Sequence, residues 1–470
     1  MSEVKTRPET LTAESTVTKP ASGVKSISQD IIYLVFVGLA GILIIMGIIF
    51  SPSIGAFFNG YRIILTHPCL TDFDGLSYAG HYGTSYFNSG LLLLCVLLVY
   101  RLTKTEILGV HIAAAMMVVG FAFYGKNPIN IWFPIIGVLG HTALLRKPLS
   151  SATAVAFFST ALSPVFSVLA YGTAGLPSAT FEAYIVGALM GIIGGVLVSI
   201  FAAYLPNLHK GYVLFNVGFA AGFAGIFVNA LLRAMSIGHD QFPYEPGNYV
   251  SGDNITLGIT LAILFGYLII MGIILGGGRE FLKMPMYKSK GGNYVEKFGF
   301  APSLINMGVI GLVATAYVFL TVKGQLNGCL FACIWTAVGF SANGLSVRMY
   351  LPTMAGVFIG AYITGGIGGL FGGNGFFEAA LTKASSRSML LAAIFSCGMA
   401  PIVGEHGVLA GIIVGMIHSV LVTSTGMFHG WMSLYNNGLS LSLIATFLYP
   451  VYSRLGIKKE TAAPKPVAVT

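Results

Sequence analysis

Apolar residues along the chain do not alternate with polar ones at the period of a strand or of a half-buried soluble helix; they come in predominantly apolar runs of about twenty residues. In the first half these runs cover 31–51, 84–100, 107–124, 128–145, 151–171, 182–204 and 212–235. In the second half they cover 255–276, 303–321, 327–343, 350–370, 388–403, 406–425 and 431–452. A run of that length matches the hydrocarbon thickness of a bilayer when wound into a helix. The pattern predicts an all-α, polytopic transmembrane helical bundle of about 14 apolar segments. Several are short or broken by Gly and Pro, so some are expected to be re-entrant. Polar stretches divide the chain into a disordered tail (1–29), a first transmembrane part (30–235), an external loop (236–254), a second transmembrane part (255–455) and a tail (456–470).

Composition agrees and excludes other classes. Of 470 residues 55% are hydrophobic and 9% charged, with mean hydropathy +0.83 and 61 glycines. Soluble chains carry roughly a quarter charged residues, so a soluble enzyme, a nucleic-acid-binding protein and a secreted disulfide domain are all excluded. The net charge of +9 reflects basic residues beside apolar runs, as the positive-inside bias places them. Arg101, Lys104, Arg146, Lys147, Lys210, the 279–297 cluster and Arg454 fall on one side under alternation, and the acidic 236–254 loop on the other. The expectation is a cell-membrane protein with both termini cytoplasmic, although Lys323, Lys383 and Arg387 fall on the opposite side. Five cysteines lack metal spacing and read as packing residues.

The chain also repeats itself. Leu43–Ile49 recurs as Leu268–Ile274, and Ser85, Asn88 and Gly90 as Ser303, Asn306 and Gly308. Gly120, Gly125 and Gly137 recur with the same spacing as Gly339, Gly344 and Gly356. Phe158, Ser159 and Pro164 return as Phe395, Ser396 and Pro401, and Gly187, Gly191 and Gly195 as Gly407, Gly411 and Gly415. His209, Leu214, Asn216 and Gly218 return as His429, Leu434, Asn436 and Gly438, at the same offset as the preceding glycines. Collinear matches predict two homologous halves, with insertions near 172–181 and in the Gly-rich 361–387 stretch. Seven runs per half would thread the second copy inverted, the architecture of many secondary transporters and some channels.

Broken helices in such repeats form the binding site. One matched pair of interruptions stands out: 124–134, with Lys126, Asn127, Asn130 and Trp132, and 341–352, with Asn343, Arg348 and Tyr350. Asn amides and free helix-end N–H groups suit a polar or anionic solute, so Asn127, Asn130, Trp132, Asn343, Arg348 and Tyr350 are the expected substrate-binding residues. Short surface loops are the alternative reading. His209 and His429, each seven residues before an Asn and so expected on one helix face with it, together with Glu405 and His406, are candidates for proton coupling; the alternative, favoured for the two histidines, is a satisfied helix-start residue, and for Glu405 and His406 a plain turn between two spans. Glu405, His406 and His418 would serve a membrane-embedded enzyme instead. A structural role in the membrane is a third reading. No Walker loop, His-Glu-x-x-His motif or Gly-x-Ser-x-Gly elbow occurs. No cofactor, metal or catalytic residue is expected. The expected partners are a small polar solute and the bilayer, with homo-oligomer formation left open.

The Gly-Lys-Asn-Pro-Ile-Asn-Ile-Trp stretch (125–132) and the Gly-Glu-His-Gly turn (404–407) resemble those of an uncharacterised family of bacterial multi-spanning membrane proteins. The resemblance covers residues 30–455; it implies a multi-pass membrane protein and supplies no functional residues. Asn343-Gly344 and Asn374-Gly375 are similar to motifs of inverted-repeat solute channels such as urea transporters. The longer segment count and the cations depart from that pattern, and no urea specificity is carried over.

Overall fold

The computed structural model describes residues 26–68, 76, 79, 81–172, 178–237, 253–287, 292–321 and 325–454. The expected tails 1–29 and 456–470 and the acidic loop 236–254 fall almost wholly outside the described residues. Among the described residues every regular element is a helix.

The first part of the chain forms α1 (Gln29–Ile49), α2 (Ile54–Thr66), α3 (Gly83–Leu102), α4 (Gly109–Phe121), α5 (Trp132–Leu144), α6 (Thr153–Ser159), α7 (Ser163–Tyr171), α8 (Phe181–Tyr204) and α9 (Asn216–Ala234). The second part forms α10 (Asn254–Ile274), α11 (Phe300–Leu320), α12 (Gly328–Ser341), α13 (Val347–Phe371), α14 (Phe376–Ala384), α15 (Arg387–Phe395), α16 (Ala400–Thr425) and α17 (Asn436–Arg454). Local chemistry sets several starts. Ser28, Ser53, Thr180, Asp253 and Asn327 each accept a backbone N–H of the helix that follows, satisfying a donor that would otherwise lack a partner.

Nine helical stretches among the described residues are long and apolar enough to cross a bilayer; apolar helices at 109–124, 132–144 and 328–341 are shorter. The surface is apolar where a soluble protein's would be charged: Leu144 and Leu320 are 84% exposed and Phe371 90%. The interior carries the polar groups, with Asn88, Lys126, His418 and His429 fully buried. That inversion of the usual pattern fits a surface solvated by lipid. The chain is a multi-pass membrane protein.

Several contacts recur at the spacings read from the sequence. Asn88 Nδ2 donates to Ala122 O (3.0 Å) and Lys126 O (2.8 Å); Asn306 Nδ2 donates to Ser341 O (2.9 Å) and Leu345 O (2.8 Å). Leu214 N donates to Gly398 O and Leu434 N to Ala161 O, both at 2.9 Å. Gly120 of α4 abuts Ala332 and Trp335 of α12, while Gly339 of α12 abuts Ala113 and Met116 of α4. Gly218 of α9 and Gly438 of α17 meet directly: a Cβ added to Gly438 would lie 2.8 Å from Gly218 Cα. Further along α9, Gly225 faces Ser433 and His429, so α9 and α17 run antiparallel, as α4 and α12 do.

The structure departs from the sequence expectation at three places and agrees with it at a fourth. The boundary expected at 403–406 is not a loop: α16 is helical on both sides of Gly407, whose φ of 86° and ψ of −176° break it at a single residue. As the 350–370 run predicts, α13 is helical through these glycines to Phe371, and α14 folds back onto its Gly365, Gly366 and Gly369. The segment between the first two apolar runs carries an unexpected amphipathic helix, α2, whose Phe57 and Tyr61 pack edge-on against Phe87. His209 and Asn216 do not share a helix face: Lys210 (φ 50°) and Gly211 (φ 82°) turn the chain between them, as Gly430 and Trp431 do between His429 and Asn436.

Candidate functional site

The two interruptions are built alike. Each follows a short helix and turns on a glycine in the left-handed region, Gly125 (φ 99°) and Gly344 (φ 122°), where a side chain would be strained. They do not come together. Phe123 stacks near Phe331 at 4.8 Å, which places the first break beside the start of α12. Tyr294 N donates to Ala342 O (3.1 Å), and Ala342 abuts Gly109, which places the second break beside the start of α4. Because α4 and α12 are antiparallel, the breaks lie at opposite ends of the pair, about 20 Å apart by helix rise.

Within the first break the asparagines bond their own backbone. Asn127 Oδ1 accepts from Ile129 N and Asn130 N, and Asn127 Nδ2 donates to Ile64 O, each at 2.9 Å. Asn130 Oδ1 accepts from Asn127 N (2.9 Å), while Asn130 Nδ2 donates to Gly125 O (2.9 Å) and Ser167 Oγ (3.0 Å). These bonds hold the turn in place and tie it to α2. Trp132 is half-buried at the start of α5. In the second break Asn343 is half-buried, Arg348 is exposed, and Tyr350 donates to Ile394 O (2.8 Å).

Lys126 is the exception. Its side chain leaves the first break for the interior, where Nζ donates to Tyr435 OH at 2.6 Å. Nζ also lies 4.8 Å from the Phe121 ring centre and 4.7 Å from that of Tyr435, within cation–π range.

Tyr435 leads into a cavity at the crossing of α9 and α17. Met117, Phe158, Phe215, Val217, Gly218, Phe340, Phe395, Tyr435, Asn437 and Gly438 line it. The space open to the centre of a water molecule is about 20 Å³, room for about one water. Part of its wall is an aromatic collar, with ring centres 4.6 Å apart for Phe215–Phe340; Phe121 stands behind the wall, 4.9 Å from Tyr435. Behind Asn437 stands His418, fully buried, whose Nε2 meets Asn437 Oδ1 at 3.1 Å and whose Nδ1 meets Ser440 Oγ at 3.0 Å. The cavity therefore pairs an apolar aromatic wall with two polar groups, each hydrogen-bonded to a buried titratable nitrogen, Lys126 Nζ or His418 Nε2. Sequence reading noted Lys126 and His418 but not this cavity; Tyr435, Asn437 and Ser440 gave no signal, since their matched positions in the first half hold Phe215, Val217 and Ala220.

The other expected proton-coupling residues lie apart from this space. His429 Nε2 meets Asn436 Oδ1 at 3.3 Å, and its Nδ1 accepts from Ser433 N at 3.3 Å. His209 is buried near Phe219, with no hydrogen-bond partner for either ring nitrogen among the described residues. Glu405 and His406 meet Tyr212 at the break in α16. His406 Nε2 is 3.2 Å from Tyr212 OH, and its ring stacks on Tyr452 at 4.5 Å. Burial, and then the charge of Glu405, hold the Tyr212 phenol above its ordinary range. His418 is twelve residues beyond His406 along α16, about 18 Å of helix, so Glu405, His406 and His418 do not converge on one point.

A family model described as "Protein of unknown function (DUF1576)" matches residues 53–234 and 280–454. No curated protein and no solved structure matches the chain.

Proposed function

The chain belongs to the DUF1576 family, whose description assigns no activity; from the geometry of the cavity we propose that it is a secondary transporter or channel for a small polar, anionic solute, with that cavity as its narrowest point. The reading takes the chain as two homologous halves threaded inverted through the cell membrane, with both termini cytoplasmic and up to fourteen apolar segments.

Two facts support the inversion. The recurring contacts are reciprocal: each half supplies to the other what it receives, as in Leu214–Gly398 and Leu434–Ala161. The matched helices that pack on each other, α4 with α12 and α9 with α17, are antiparallel. A two-fold axis relating antiparallel helices lies across them, in the membrane plane, whereas a parallel duplication would pair parallel helices.

One observation carries the functional reading: in an apolar body, Tyr435 and Asn437 line a cavity where these matched helices cross, and each is hydrogen-bonded from behind to a buried titratable group, Lys126 and His418. Polar groups inside a membrane protein are costly and mark solute paths by default. The buried lysine favours an anion, and the aromatic collar suits a constriction that opens by wetting. Asn127, Asn130, Trp132, Asn343, Arg348 and Tyr350 then shape the vestibules at the two ends.

The test is stopped-flow light scattering of proteoliposomes given gradients of potassium salts of small carboxylates and inorganic anions. Protein-dependent permeation of at least one anion, lowered at least tenfold by Lys126→Met at equal folded yield, is expected. Permeation by none of the panel, or an unchanged rate in the variant, overturns the reading.

A further inference from the structure

We propose that His418 is a proton-binding site coupled to the axial cavity, so that an anion crosses together with a proton. This rests on the transport reading above and adds its coupling ion.

The hydrogen bonds around the ring fit both charge states. Asn437 Oδ1 can only accept, so it holds a proton on His418 Nε2 whether the ring is neutral or charged. Ser440 Oγ can donate to Nδ1 of the neutral ring and, by rotating its hydroxyl, accept from Nδ1 of the imidazolium. No side chain has to swing to a new position, and neither ring nitrogen is left without a partner in either state. By contrast, His429 Nδ1 accepts from the backbone N–H of Ser433, which cannot turn, so protonation there would break a bond.

Position supplies the coupling. Asn437 lines the cavity and so does Tyr435, which carries Lys126. His418 and Lys126 each hydrogen-bond a residue of the cavity wall, so a proton on His418 and a charge on Lys126 act from behind that wall on one small, weakly polarisable space and oppose each other. An anion in that space relieves both, so proton and anion each tighten the binding of the other, reciprocally. The matched positions of His418, Asn437 and Ser440 in the first half hold Val198, Val217 and Ala220. The pair of halves thus holds one such proton site, not two.

Other titratable groups on the elements packed against α16 are engaged elsewhere or face outward. On α13, Tyr350 donates to Ile394 O, Arg348 is exposed, and Tyr362 stacks with Phe358. On α15 Arg387 meets Cys329, and Cys397 lies in the turn that follows it. On α17 Tyr452 stacks on His406, Tyr449 is near Tyr212 and Arg454 is exposed; His429 lies on Asn436.

The test is solid-state NMR of the full chain in proteoliposomes with ¹⁵N-labelled histidine, from pH 8 to 5, the His418 signal being identified by its loss in His418→Gln. The expected course is an Nε2–H tautomer at high pH that becomes doubly protonated within this range. Ser440→Ala, which removes the acceptor of the charged state, is expected to weaken proton binding about tenfold. A ring that stays neutral until the protein unfolds, or a midpoint unmoved by Ser440→Ala, overturns the proposal. A parallel measurement separates the two readings: Val217→Cys is labelled with a small water-borne thiol reagent, above the background of the native cysteines. Labelling with a His418 that never titrates leaves transport standing and removes the proton. No labelling of folded protein at any pH removes the water path and both readings with it.

Discussion

Lys126 and Asn127 are neighbours in the chain and both fully buried, yet their roles divide by where their polar atoms end. Lys126 Nζ reaches Tyr435 and the cavity; both ends of the Asn127 amide are used within the break and on α2. Asn127→Ala is therefore expected to act on the fold. It strands the N–H groups of Ile129 and Asn130 and the carbonyl of Ile64, at a cost of about 2–4 kcal/mol. A lower thermal-unfolding midpoint in detergent is the expected result, and an unchanged midpoint with lost permeation would return Asn127 to the solute site. Adjacent polar residues in an apolar run give no hint of this division, because it depends on which helix lies opposite each side chain.

Among elements, the crossing of α9 and α17 is the sensitive contact. Backbone approaches backbone at Gly218 and Gly438, which leaves no room for even a methyl group. Gly438→Val is expected to destabilise by about 1–3 kcal/mol through overpacking and to change permeation at the cavity beside it. Gly266→Ala, at a helical position with nothing within 4 Å of an added Cβ, is expected to leave both unchanged. Unfolding midpoints of the two variants measured side by side check this; equal midpoints would mean that the crossing is looser than its geometry. The glycines themselves were legible as a matched pair in the sequence. That they touch was not, since recurrence along a chain specifies equivalence and not contact.

For the whole molecule the proposed inverted arrangement makes a simple demand. Ser53, just after α1, and Gly278, just after its counterpart α10, are expected on opposite sides of the membrane. Single cysteines at these positions, probed in cells with a membrane-impermeant thiol reagent, are expected to label one from outside and the other only after permeabilisation. Labelling of both from the same side would mean a parallel duplication. Predominantly apolar runs, too long for a strand and too devoid of charge for a soluble helix, sufficed by themselves to make the chain helical and membrane-embedded. Hydrophobic burial depends mainly on composition and period, which are local properties. The recurrence of spaced residues was equally visible. Only the tertiary structure put the two breaks at opposite ends of an antiparallel pair and sent Lys126 to Tyr435. It likewise set His418 behind Asn437 at a crossing point. Those placements follow from side-chain packing between helices far apart in the chain, which a one-dimensional pattern does not encode.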